Sequence, residues 1–168
     1  MVFFFLINLI LPSFARNTLP VEFSNETQTC ISKRALWAAL ETVMSGSSDS
    51  WLWPEAKSSI LGEGLFENAT IDVTYHAGWF APTYTYVLED VIPLETFTYK
   101  ALQTNHPFGG GATISLSTVE EMTLLKWKGL YLTGSNDWFR RNYFKRFSVD
   151  FFESLEKKIK DKEKVFCL

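Results

Sequence analysis

The sequence predicts an α+β fold in which one antiparallel sheet of about six to seven strands packs against a long C-terminal helix. Two observations predict the sheet and a third predicts the helix. Between positions 70 and 133 the residues alternate with period two, as in Ile71, Val73 and Tyr75, in Phe97 and Tyr99, and in Ile114 and Leu116 against Thr113, Ser115 and Ser117. The breaks carry Gly78, Pro82, Pro93, Pro107 and Gly109-Gly110-Gly111 and are short enough for hairpins, which makes the sheet an antiparallel meander. Beyond them, residues 136–164 place Phe144, Phe147, Phe151, Leu155 and Ile159 on one stripe at helical spacing.

The chain opens on Val2 to Leu11, a run of ten apolar residues, too short for a membrane span of roughly 20. Pro12 ends the run, and Ser13-Phe14-Ala15 supplies small residues before a cut, the shape of a secretory signal peptide. No Lys or Arg precedes the apolar run, so the alternative is an unfolded apolar tail or a misassigned start. With a signal at residues 1–15 the protein is secreted or periplasmic; without one it is cytoplasmic. Asn25-Glu26-Thr27 and Asn68-Ala69-Thr70 are N-glycosylation sequons, relevant only in a eukaryotic secretory route.

A single folded domain is expected over 19–164. Residues 21–31 alternate Val21, Phe23 and Asn25 against Glu22, Ser24 and Glu26, a first strand. Ser32 caps a helix over 33–44 that turns Ala35, Leu36, Ala39, Leu40 and Val43 inward. A polar loop at 45–50 leads to Trp51-Leu52-Trp53-Pro54, expected as a second short helical turn laying two indoles on the core. Gly62-Glu63-Gly64 forms a turn before strands expected at 70–77, 83–91, 95–104, 112–119 and 122–133.

Composition bounds the function. The 168 residues are 46% hydrophobic and 21% charged, globular values that exclude disorder and a membrane bundle. Aromatic residues make up 16%, enough for a thick core or the wall of an apolar pocket. The net charge is −3, and the C-terminal lysines alternate with acids as a solvated helix end, so no nucleic-acid partner is expected. Cys30 and Cys167 are the two cysteines; a disulfide between them and a pair of free thiols both stay open. Without paired-Cys spacing or a His cluster, neither a metal nor a cofactor is expected. Catalytic residues are not assigned: Ser45 and Ser47 lack the strand–turn–helix context of a nucleophile elbow, and Gly109-Gly110-Gly111 lacks that of a phosphate loop. His106 could act as a general base but fits loop packing better, and His76 is expected to face solvent or a strand edge.

The order strand, two small helices, meandering strands and terminal helix resembles the helix-grip fold of the START-like, or SRPBCC, superfamily. That superfamily includes polyketide cyclases, aromatases, lipid-transfer domains and pollen-allergen-type binding proteins. The carriers are Leu36-Trp37, the Gly62/Gly64 turn, Pro93 and Tyr99, the segment Thr123-x-x-x-Trp127-x-Gly129-x-Tyr131, and Phe144, Phe147, Phe151-Phe152 and Leu155. They span about 19–160, and none is a catalytic signature. The resemblance implies a curved sheet wrapped around the helix, with a cavity between them for a small hydrophobic molecule such as a lipid, an aromatic polyketide or a terpenoid-like compound. Tyr84, Tyr86, Tyr99, Trp127, Tyr131 and Phe144 are the candidate lining residues. Asp137, Arg140 and Arg141 are placed at the mouth, where a ligand head group could meet them, although Asp137 also suits a helix N-terminus and arginines reach water unaided. A cyclase- or aromatase-like enzyme using the same cavity is the alternative, and a protein-binding accessory domain a third. The expected assembly is a monomer or weak dimer with no integral membrane span in the mature chain.

Overall fold

A computed structural model describes residues 18–76, 81–102, 109–134 and 138–167, and within these the side chains at 18, 19, 133, 139, 140 and 144 are not described. Residues 1–15, the candidate signal segment, lie outside the described residues, as does His106.

Seven strands form one sheet: β1 (Thr18–Thr29), β2 (Ser58–Gly62), β3 (Thr70–Tyr75), β4 (Thr83–Ile92), β5 (Thr96–Ala101), β6 (Gly109–Val119) and β7 (Met122–Gly134). Their order is β1-β7-β6-β5-β4-β3-β2, antiparallel at every junction. From β2 to β7 the chain meanders; β1 lies on the far side of β7, so the chain crosses from one sheet edge to the other between β1 and β2. Helix α1 (Lys33–Met44) occupies that crossover. It begins where expected because Ser32 accepts a hydrogen bond from the Ala35 N–H at 3.3 Å. Leu36, Trp37, Leu40, Val43 and Met44 are buried, and the Trp37 ring meets Phe97 edge-on at 6.1 Å.

The sheet is curled, and its backbone shows where. Gly110 has φ +114°, and a Cβ on Gly111 would stand 2.1 Å from the Tyr99 carbonyl oxygen. A Cβ on Gly129 would meet the Ala112 Cβ at 2.4 Å, so β5, β6 and β7 approach more closely than side chains would permit. Between Glu89 and Ile92 the β4–β5 register shifts, a second bend. The concave face carries Val21 of β1, Ile71, Val73 and Tyr75 of β3, Tyr86 and Leu88 of β4, Phe97 and Tyr99 of β5, Ile114 and Leu116 of β6, and Leu125, Trp127 and Tyr131 of β7, all buried. Asn25 of β1 shares this face; its amide nitrogen is buried without a hydrogen-bond partner, whereas the Asn68 sequon sits in an exposed turn at φ +63°.

Helix α2 (Trp138–Phe166) lies across that concavity. Phe147, Phe151, Phe152, Leu155 and Ile159 are buried on its inner side, four of the five residues of the expected stripe together with Phe152; the Phe144 side chain lies outside the described residues. Cys30, just past β1, and Cys167, just past α2, form a disulfide with Cα atoms 5.8 Å apart. No helix among the described residues is long and apolar enough to cross a membrane.

Two local expectations are corrected. One short helix follows β1, not two, because residues 51–53 form a bend. Pro54 disfavours helical geometry at Trp53, and a turn closes at once through the Lys57 N–H to the Pro54 carbonyl at 2.8 Å. The indoles nonetheless face the core: Trp53 is buried 4.8 Å from the Phe151 ring, and Trp51, half-buried, lies 6.0 Å from Phe166. The second correction is an added strand. Ser58-Ser59-Ile60-Leu61-Gly62 pairs with β3 as the sheet's other edge, although its serines and single apolar pair show no strand-like alternation.

Candidate functional site

The interior between the sheet and α2 is dominated by aromatic rings, and the polar groups described among those rings are hydroxyls and indole nitrogens, with the Asn25 amide on the same face of β1. Strand alternation turns Tyr75, Tyr86, Tyr99 and Tyr131 inward from four different strands, with fractional exposures of 4%, 0%, 7% and 2%. The Tyr75 and Tyr86 hydroxyls are 2.8 Å apart and share a hydrogen bond. Tyr131 is hydrogen-bonded to both Tyr75 and Tyr99, and the Trp127 indole N–H donates to the Tyr99 hydroxyl at 2.9 Å. A continuous chain therefore runs Tyr86, Tyr75, Tyr131, Tyr99, Trp127. Beside it, the Trp53 indole N–H donates to the buried Ser58 hydroxyl at 3.1 Å.

Burial governs the chemistry of this cluster. It pushes all four phenols well above their ordinary value of 10.0; neighbouring tyrosines add to the rise at Tyr75, Tyr86 and Tyr131, while hydrogen bonds from Trp127 and Tyr131 partly offset it at Tyr99. The phenols are thus neutral at any physiological pH. They can donate and accept hydrogen bonds, but they are poor proton acceptors. No Asp, Glu, His, Lys or Arg among the described residues is buried.

The rings leave little space. The void bounded by Tyr75, Tyr99, Trp127, Tyr131, Phe147 and Phe151 offers about 20 Å³ to the centre of a water molecule, room for roughly one water. Much more room lies outside, where α2 begins. There an open cleft of about 750 Å³ is lined by Lys57, His76, Trp138, Tyr143, Arg146 and Phe147. Among the described residues, Phe147 lines both spaces. The cleft rim is cationic, tempered by Asp150, which pairs with Lys57 at 3.9 Å.

Of the residues expected to line a cavity, Tyr86, Tyr99, Trp127 and Tyr131 come together in this cluster. Tyr84 is half-buried beside them, its ring 6.0 Å from Tyr75. Asp137 lies outside the described residues, as do the side chains of Arg140 and Phe144. Arg141 is half-buried, and its Nε is buried without a hydrogen-bond partner. His76 is exposed, as expected, and hydrogen-bonds Ser59 at 3.2 Å. Sequence reasoning missed Tyr75, Trp53 and Ser58 as parts of the site, together with the cationic group Lys57, Lys145 and Arg146. The alternation of β3 already turned Tyr75 inward, but its partners become visible only once strand order is known.

Several solved structures share this architecture. The di-domain ARO/CYC StfQ from the steffimycin biosynthetic pathway superposes with a TM-score of 0.66 at 15% identity, over 88% of this chain and 50% of that one. The chain therefore spans half the length of StfQ. Ginseng major latex-like protein 151 from Panax ginseng gives 0.61 at 13% identity over 86% of this chain and 98% of its own. Ara h 8.0201 gives 0.58 at 15% identity, with 84% and 99% covered. The fold is the helix-grip fold. At these identities the helix-grip likeness is one of fold alone, and it agrees with the START-like resemblance of the sequence. No protein-family model matches the chain, and no curated protein matches its sequence.

Proposed function

We propose that the protein binds a small hydrophobic molecule between the curled sheet and α2, admitted past Phe147 from the cleft at the start of the helix. The supporting observation is the adjacency of the two spaces: an interior of aromatic rings and neutral hydroxyls lies beside an open, cation-rimmed cleft, and Phe147 borders both. The resting interior holds about one water, so binding requires Phe147 and the first turns of α2 to give way. Lys57, Lys145 and Arg146 are suited to a polar or anionic head group left at the mouth. Native mass spectrometry of the purified protein tests this together with titration of N-phenyl-1-naphthylamine, an uncharged fluorescent probe. Saturable probe binding, displaced by any co-purified molecule, is the expected result; no binding of either kind would mean a filled core.

A cyclase- or aromatase-like activity is the second reading. It is favoured by the likeness to StfQ and by phenolic O–H donors that could polarise a ligand carbonyl. Against it stands the lack, among the described residues, of a buried carboxylate or imidazole to accept a proton. A ligand recovered from the protein unchanged in mass supports binding; one recovered lighter by a water supports cyclisation.

The disulfide supports export, since such bonds persist in oxidising compartments. Cleavage after Ala15 is accordingly proposed, and N-terminal sequencing of the native protein tests it; an intact Met1 on cytosolic protein would overturn it. A monomer or weak dimer is the assembly proposed, to be measured by sedimentation.

A further inference from the structure

We infer that Asn68 is the acceptor of an N-linked glycan whose first sugar is seated on the exposed ring of Phe66, while the second sequon, at Asn25, stays bare. This rests on the export reading above and adds a modification site to it.

The two sequons share a pattern and differ in place. Asn68-Ala69-Thr70 lies in the turn that leads into β3, and Asn68 is exposed at φ +63°. The backbone there is fixed: the Ala69 N–H donates to the Phe66 carbonyl at 3.1 Å, and the Asn68 N–H to the Leu88 carbonyl at 2.9 Å. Asparagine tolerates the left-handed conformation this turn requires. Asn25 belongs to β1, which pairs with β7 along 18–29, and its amide nitrogen is buried on the concave face. A glycan on that nitrogen would hold the inner face of β1 away from its packing, so the folded protein carries none there.

Phe66 supplies the second observation. It stands two residues before Asn68 in the same turn and is 51% exposed. Its ring rests against Gly64, where an added Cβ would stand 3.3 Å away, so the ring is held while much of it stays open to solvent. The C–H bonds on one face of a pyranose meet the negative face of an aromatic ring favourably. A sugar on the Asn68 amide is tethered beside that ring by a turn already ordered, so seating it costs little further entropy. Thr70, the first residue of β3, completes the acceptor pattern.

The co-reactant is a polyprenyl-diphosphate-linked oligosaccharide of a eukaryotic secretory route. The Asn68 amide nitrogen forms a bond to the anomeric carbon of the first sugar and releases one proton. The bond from that carbon to the diphosphate oxygen breaks, and the lipid diphosphate leaves with the electron pair.

The test expresses the full chain in a eukaryotic cell line as wild type, Asn68→Gln, Asn25→Gln and Phe66→Ala. Secreted protein is treated with peptide:N-glycosidase F in heavy-oxygen water, and the labelled site is located by peptide mass spectrometry. Label at Asn68 alone is expected in wild type and Phe66→Ala, unchanged by Asn25→Gln and abolished by Asn68→Gln. Glycosylated wild type should melt about 2–4 °C above its enzyme-treated form, the worth of one aromatic contact in a domain of this size. In Phe66→Ala that difference should vanish. Secreted protein with Asn68 unmodified overturns the site and leaves export intact, and a glycan at Asn25 on folded protein overturns the choice between the sequons. An equal melting difference in wild type and Phe66→Ala overturns the seating on the ring. Retention in the cytosol with Met1 intact overturns the export reading, and this inference with it.

Discussion

The two ends of α2 sit in opposite environments. At the C-terminal end Phe151, Phe152, Leu155 and Ile159 are all buried, the Lys158 ammonium reaches the Trp53 carbonyl, Phe166 packs beside Trp51, and Cys167 is bonded to Cys30. At the N-terminal end Trp138 is 76% exposed, Tyr143 is half-buried, and the cationic cleft runs alongside. One helix is thus covalently and sterically fixed at one end and bordered by open space at the other. Under the proposed binding role, the closed end would set the position of α2 and the other end would supply the opening.

The sharpest way to break this comparison is to truncate one residue at each end. Phe151→Ala removes a ring that contacts Trp53, Trp127 and Phe147, and should cost about 3–5 kcal/mol in urea unfolding. Trp138→Ala should cost less than about 0.5 kcal/mol. Similar losses at both sites would show that the two ends are equally packed. The disulfide comes next. Cys30 and Cys167 are 137 residues apart, and closing a loop of that length restricts the unfolded chain by about 4–5 kcal/mol. The double Cys→Ser variant should therefore melt markedly lower, by roughly 10 °C. An unchanged melting point in the oxidised and Cys→Ser proteins would remove the disulfide from the account of α2.

Alkaline pH probes the interior that both ends enclose. Tyr75, Tyr86, Tyr99 and Tyr131 hold their protons above the ordinary value of 10.0, whereas the unfolded chain releases them near it. Their contribution is full below pH 10 and is lost as pH rises from there towards the folded values. Absorbance at the phenolate band should show these four titrating late and together, with unfolding; smooth titration near pH 10 in the folded protein would contradict their burial. The smallest effect belongs to the rim. Arg146→Ala should leave stability within about 0.5 kcal/mol yet weaken an anionic probe such as 8-anilinonaphthalene-1-sulfonate a few-fold, with less effect at high salt. Salt-independent binding would place the anion elsewhere.

How far the sequence reached depended on the range of the signal. The Ser32 cap and the apolar face of 33–44 placed α1, and the Phe147, Phe151, Leu155 and Ile159 spacing placed α2, because both signals are local. The β6–β7 hairpin is legible through the alternation of 112–119 and the bulky residues of 122–133, although its turn uses Glu120 and Glu121 at positive φ in place of Gly or Pro. Where the local signal was weak it misled: Trp51 to Pro54 read as a helical turn, and the serines of β2 concealed an edge strand. The tyrosine cluster was half legible. Tyr86, Tyr99, Trp127 and Tyr131 stand out in the sequence as candidate lining aromatics, but that Tyr75 of β3 meets Tyr131 of β7 follows from sheet curvature, which leaves no period in the sequence. For the same reason the pairing of Cys30 with Cys167 could not be read from spacing.

Hydrogen exchange along α2 tests the central claim most directly. With and without saturating N-phenyl-1-naphthylamine, amides in residues 141–147 should exchange faster than those in 151–162 in the free protein. The probe should slow the first group and leave the second unchanged. Uniform protection along the helix, or protection confined to its C-terminal half, would contradict an interior that opens at the start of α2.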